Sequence, residues 1–150
     1  MKTYHKLILV VLFSFLPDRF SKQLILLFPR QEIYFFDYSV IKFHQNYGIA
    51  LGMPFNINSL CWPAILILGL LIIYFKRKII FSSLSRKGII GLGLIIGGAA
   101  GNVFDRLAFG YIIDFINIPH LNLAINFADL EIIVGSILLA ITTLRIKGNA

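Results

Sequence analysis

Four apolar runs, each close to the length of a membrane-crossing helix, alternate with more polar connections along this 150-residue chain. They predict transmembrane helices over about residues 6–28, 58–75, 88–105 and 127–145. A span needs about 20 apolar residues, and the second and fourth runs reach that length by including flanking residues such as Ile57–Leu60 and Phe127–Ala128. The first run is interrupted by Pro17, Asp18, Arg19 and Lys22, then resumes. No small-residue cleavage site follows it, so it reads as a retained helix and not as a signal peptide. Between the first two helices, EIYFFDYSVIKFH changes period: Val40, Lys42 and His44 alternate with Ile41 and Phe43, as in a half-buried strand. NYGIALGMPF follows, with Gly48 and Gly52 as turn or bulge positions. The predicted architecture is an all-α membrane protein, a four-helix bundle with a small extracytoplasmic sheet between helices one and two. No repeat or low-complexity tract divides it, so residues 1–150 are expected to form one domain.

Composition agrees with the pattern. The chain is 58% hydrophobic and 14% charged, with a mean hydropathy of +0.84, where a soluble domain carries about 25% charged residues. The net charge of +7 is asymmetric. Lys2, Lys6, Lys76, Arg77, Lys78, Arg86, Lys87, Arg145 and Lys147 all flank the helices on one side, and no acid joins them. The positive-inside rule puts that side, and both termini, in the cytoplasm. The basic excess is thus a topology signal and not a nucleic-acid footprint. Cys61 is the single cysteine, which excludes an intrachain disulfide framework. His5, His44 and His120 are far apart in sequence, and no metal site is expected.

Against this background the polar residues of GNVFDRLAFGYIIDF (101–115) and INFADL (125–130) stand out. Ionisable groups near membrane segments are costly and are candidates for function. On a helix, Asn102, Asp105 and Arg106 share one face, which also suits a purely structural cluster. Asn126 and Asp129 fit an N-cap and the third helical position, where the helix dipole favours an anion. Asp114 is different: its neighbours are bulky and apolar, and Arg106, its nearest preceding basic residue, lies eight positions back. Two aspartates converging from the end of helix three and the start of helix four could share a proton, one activating water and the other polarising a carbonyl. Spacing alone leaves that convergence open. Gly93, Gly97 and Gly101 form a small-xxx-small stripe that predicts close helix packing.

GGAAGNVFDRLAFGYIIDFI resembles the signature GGAxGNxxDRxxxGxVxDF of the lipoprotein signal peptidases, or signal peptidase II. NFAD resembles the family's FNxAD, NYGIALG its N-x-G-A-A-F stretch, and DRFSK its D-Q-x-x-K stretch. The resemblance spans the whole chain. It implies an aspartic endopeptidase of the bacterial inner membrane, without cofactor or metal, whose active site lies near the extracytoplasmic face. Such an enzyme removes the signal peptide from diacylglyceryl-modified prolipoproteins, just before the lipidated cysteine. The resemblance implies Asp114 and Asp129 as catalytic residues, with Asp18, Lys22, Asn46, Gly48, Asn102, Asp105, Arg106 and Asn126 supporting them or binding substrate. The partners implied are lipidated prolipoproteins and membrane lipids, and a monomer is expected. Arg19, Leu51, Ile125 and the pair Leu130-Glu131 depart from the family pattern, and Glu131 either faces the polar mouth or pairs with Arg106. The competing reading is a small transporter or proton-conducting protein. It predicts acids strung across the bilayer, whereas all seven here gather toward one side.

Overall fold

The computed structural model describes residues 3–36, 38–48, 65, 69–70, 72–73, 76 and 84–148. Among the described residues, helices and strands follow in the order α1 (Thr3–Leu27), β1 (Ile33–Phe35), β2 (Tyr38–Asn46), α2 (Arg86–Phe109), β3 (Ile112–Ile118), a 3-10 turn (Pro119–Leu121), β4 (Leu123–Ile125) and α3 (Phe127–Gly148). At 1.5 Å per residue the helices are about 33–37 Å long, enough to cross a hydrocarbon core of about 30 Å. The second predicted span, 58–75, lies mostly outside the described residues. Ile65, Gly69, Leu70, Ile72, Ile73 and Lys76, which are described there, are helical. α1 runs unbroken through Pro17, which removes one N–H from its ladder.

α1 is built inside out relative to a soluble helix. Ser14, Asp18 and Lys22, four residues apart, are 0% exposed. Phe13 is 77% exposed, and Leu9, Leu16, Phe20, Leu24 and Leu27 continue its stripe at helical spacing. α3 likewise turns Ile133, Val134, Ile137 and Ile141 outward. In water such faces would be covered. Lipid imposes the reverse: hydrocarbon accepts the leucines and phenylalanines, and the polar groups must find partners inside the bundle.

Glycine lets the backbones approach closely enough to provide those partners. The stripe Gly93, Gly97 and Gly101 meets Val10, Ser14 and Asp18 of α1 in the same order. A Cβ on Gly101 would sit 2.5 Å from Asp18 Oδ2, so a side chain there would displace the carboxylate. A second pair, Gly91 and Gly98, faces α3, where the backbone carbonyls of Gly135 and Ala128 leave no room for a Cβ. The sequence pattern had shown only the first stripe.

The sheet corrects the sequence-based architecture. Among the described residues it is four-stranded and antiparallel, in the order β1-β2-β3-β4. Its first two strands come from the predicted segment between helices one and two, and the other two from the connection between α2 and α3. IIDFINI was expected to continue the end of a helix, but it pairs with β2 instead. The switch is made by Gly110, at φ 80°, whose N–H donates to the Arg106 carbonyl at 3.1 Å and ends α2. Such a left-handed position suits glycine, and the β-branched run after it favours a strand.

Candidate active site

Asp129 is placed by local chemistry. Asn126 caps α3: its side-chain oxygen accepts the Asp129 N–H at 3.0 Å, and Asp129 Oδ2 accepts the Asn126 N–H at 3.3 Å. This is a reciprocal capping box with aspartate in the acidic position. A second anchor comes from far away in sequence, where Asp18 Oδ1 accepts the Ala128 N–H at 3.0 Å. A carboxylate of α1 thereby satisfies a buried amide at the start of α3.

Asp114 is placed by the sheet. It lies opposite His44 in the β2–β3 register and is 1% exposed. The strand that carries it is tied to α2 through the Ile113 N–H, which donates to Asp105 Oδ2 at 3.2 Å. Asp114 and Asp129 therefore come from a strand and a helix, not from two helix ends, and a set of amides joins them.

Three asparagines hold the two carboxylates, and the same logic orients each one. Asn46 Oδ1 accepts the Gly48 N–H, so its amide group is left to donate to Asp114 Oδ2 at 2.8 Å. Asn126 Oδ1 is occupied by the helix cap, so its amide group donates to Asp114 Oδ1 at 2.6 Å and to Asn102 Oδ1 at 3.2 Å. Asn102 Oδ1 also accepts from Lys22 Nζ at 2.9 Å, which directs its amide group to Asp129 Oδ1, also at 2.9 Å. A donor on each amide oxygen decides which way the amide faces. Among the described residues, no ion pair engages either Asp114 or Asp129.

The Asp114 carboxyl is pushed up to about 7. Burial is the main cause, and the charge of Asp129 adds to it; the amides of Asn46 and Asn126 and the Lys22 ammonium oppose it. A carboxyl tuned this way holds or releases a proton near neutral pH. His44 is pushed the other way, chiefly by burial, and its Nε2 is buried without a hydrogen-bond partner among the described residues.

Behind the amides lies a second polar group. Lys22 Nζ bridges Asp18 Oδ2 at 2.8 Å and Asp105 Oδ2 at 2.9 Å. Arg19 pairs with Asp105, and its guanidinium stacks on the Phe104 ring at 4.4 Å. Asp18 and Lys22 thus pair at i, i+4 along α1, and the arginine standing where the family pattern has glutamine supplies a second cation. The Arg106 guanidinium donates to the Gly48 carbonyl at 2.7 Å and ties the chain just after β2 to α2. Glu131 follows neither expected arrangement: it accepts from the Ser14 hydroxyl at 2.6 Å, on the α1 side of α3. Residue spacing carried no signal for that pair, because Ser14 and Glu131 are 117 positions apart.

A cavity of about 360 Å³ opens beside the carboxylates. Its polar end is formed by Asn46, Asn102, Arg106 and Asp129, and its walls by apolar residues including Leu92, Ile95 and Ile132. Asp114 sits just behind this lining, held by Asn46 and Asn126. Among the described residues, no group of three acidic, histidine or cysteine side chains could hold a metal ion. Leu51 lies outside the described residues.

The model of the family described as signal peptidase (SPase) II matches residues 10–145. The chain is 36% identical to the lipoprotein signal peptidase of Wigglesworthia glossinidia brevipalpis over 150 residues, covering 93% of each chain. It is 34% identical to that of Caldanaerobacter subterraneus subsp. tengcongensis, covering 88% of this chain and 91% of the relative. A solved bacterial membrane enzyme, determined by the in meso method, shares the fold with a TM-score of 0.80 at 24% identity, covering 95% of this chain and 90% of that one.

Proposed function

Because this chain belongs to the signal peptidase II family, peptide-bond hydrolases of the bacterial membrane, we propose that it removes the signal peptide from diacylglyceryl-modified prolipoproteins by an aspartic mechanism. The observation that carries this reading is the amide-linked pair Asp114 and Asp129, held at the polar end of an apolar cavity. The apolar walls suit a signal helix, and the polar end suits the peptide bond that follows it.

Asp129 has donors on both oxygens, from the Asn102 amide and the Asn126 N–H, which fix the orientation of its carboxylate. It takes the proton of a water molecule as the water oxygen attacks the scissile carbonyl carbon. Asp114, raised to about 7, carries a proton near neutral pH and gives it to the carbonyl oxygen. The tetrahedral diol then collapses. Asp129 returns its proton to the nitrogen of the lipidated cysteine, the C–N bond breaks, and Asp114 regains a proton from a diol hydroxyl. Both residues end as they began, with one water consumed.

On this reading residues 1–150 form one peptidase domain with both termini in the cytoplasm, and the site lies near the outer face. The substrate, anchored by its acyl chains, enters sideways from the lipid. Purified protein should cleave a lipidated precursor peptide and leave its unlipidated counterpart intact; equal cleavage of the two removes the substrate assignment. The orientation has its own test. Cysteines at Asn117 and Asn58, in a Cys61→Ser background, should react with an impermeant thiol reagent outside intact spheroplasts, and one at Ser83 should not. The reverse pattern inverts the topology.

A further inference from the structure

The β1–β2 hairpin presents apolar side chains on both of its faces. Ile33, Tyr34 and Phe35 are all exposed, so β1 does not alternate between a covered and an open side as a strand on a soluble core does. Phe36, at the turn, is 84% exposed and adopts a left-handed backbone conformation at φ 51°. A phenylalanine is seldom placed there, because its Cβ crowds the backbone. Tyr38 stacks against His120 with ring centroids 5.0 Å apart, which brings the exposed Leu121 of the 3-10 turn next to the hairpin. Two separate segments thus build one aromatic patch.

The patch is continuous with the surface that meets lipid. The outward stripe of α1 ends in Leu24, Leu27 and Phe28, all exposed. A tight turn, closed by the Gln31 N–H on the Phe28 carbonyl at 3.1 Å, leads into β1. Only five residues separate the end of α1 from Ile33, so the hairpin stays at the level where α1 leaves the hydrocarbon. Exposed Arg30 lies within that connection, and Lys42 on β2 pairs with Glu32 at 3.0 Å. Aromatic rings with flanking cations are the composition of a membrane–water boundary, where rings lie among the acyl-chain ends and cations reach the headgroups.

We propose that the hairpin tip, centred on Tyr34, Phe35 and Phe36, inserts into the bilayer interface and acts as a second membrane anchor for the sheet. The sheet carries Asp114 on β3 and Asn46 on β2. An anchor at its β1 edge sets the height of those two residues relative to the lipid surface.

The test is a single tryptophan at the tip, Phe36→Trp in a Trp62→Phe background, with the full chain reconstituted in phosphatidylcholine–phosphatidylglycerol vesicles. Its emission should shift to the blue of that from the unfolded chain. It should also be quenched by lipids brominated near the headgroup end of the acyl chain more than by lipids brominated near the chain terminus, and be protected from aqueous iodide. Gln45→Trp, exposed elsewhere on the sheet, serves as a comparison. Strong iodide quenching at position 36 without bromolipid quenching places the tip in water and overturns the proposal. Quenching by neither reagent means that protein covers the tip, from a second copy if the effect disappears on dilution with lipid, and overturns it as well. Independence from catalysis is checked by repeating the measurement with Asp129→Asn, which should leave the tip fluorescence unchanged even if the peptidase assignment fails.

Discussion

Two pairs of aspartates lie side by side in this protein, and they are held in opposite ways. Asp18 and Asp105 face the cations Lys22 and Arg19, in an arrangement with equal numbers of charges of each sign. Asp114 and Asp129 are held by neutral amides from Asn46, Asn102 and Asn126. An ion pair sets an opposite charge beside a carboxylate, whereas an amide orients a carboxylate without supplying a charge. The first cluster holds elements together through its ion pairs, and the second is the one we propose to move protons. The two are joined at one atom, Asn102 Oδ1, which accepts from Lys22 on one side and from Asn126 on the other.

The largest expected effect breaks the second cluster alone. Asp114→Asn and Asp129→Asn should each lower cleavage by about 10²–10⁴, the range for losing a general acid or base, while insertion and melting behaviour remain near those of the parent. Substantial turnover by either variant would refute the two-aspartate assignment.

Breaking the first cluster should show a different signature. Lys22→Met strands the carboxylate of Asp18 in the bundle and leaves Asp105 to Arg19 alone, at a cost of about 3–5 kcal/mol. Thermal unfolding in detergent should report it as a clear fall in Tm. Activity should fall too, because Asn102 loses one of the two donors that orient its amide toward Asp129. Asp105→Ala should act similarly, since it removes the acceptor of the Ile113 N–H and loosens the strand that carries Asp114. A pure rate defect at an unchanged Tm would move this cluster into the chemistry and erase the distinction.

The pH dependence sharpens the comparison. Unfolded aspartate titrates near 3.9, and Asp114 in the native protein near 7. Between those values the native state binds the extra proton, so stability from this group is present at low pH and is lost as pH rises toward 7. Cleavage should decline above about pH 7, by about tenfold per unit once the acid is ionised. Asp114→Asn should remove the matching slope from the Tm-versus-pH curve; an unchanged slope would assign the titration to another group.

The smallest effect is expected at Glu131→Ala. Its partner is Ser14 on α1, away from the amides, so the loss should be within about 1 kcal/mol of stability, the worth of a single hydrogen bond, with cleavage little changed. A loss of activity comparable to that of the Asp129 variant would tie Glu131 to the reaction.

The comparison also shows where reading the chain succeeds. Asn126 and Asp129 are three residues apart, and their capping box needs only local backbone geometry, so the sequence NFAD already implied it. The Asp18–Lys22 pair at i, i+4 and the glycine stripe facing α1 were legible for the same reason: helical periodicity makes them neighbours. Membrane residence was set by composition and by the asymmetric spread of basic residues. Asp114 was recognisable as an unpaired carboxylate, but its strand was not. A short apolar run after a helix carries no periodic signal that separates continued helix from strand. The outcome was decided by the Gly110 reversal and by the free edge of β2, some seventy residues earlier in the chain. The orientation of the Asn102 amide, the contact of Asp18 with the start of α3 and the Ser14–Glu131 pair likewise depend on which elements pack together. Those contacts join positions 24 to 117 residues apart, where no local pattern reaches and burial of polar groups in a lipid-facing bundle selects the partner.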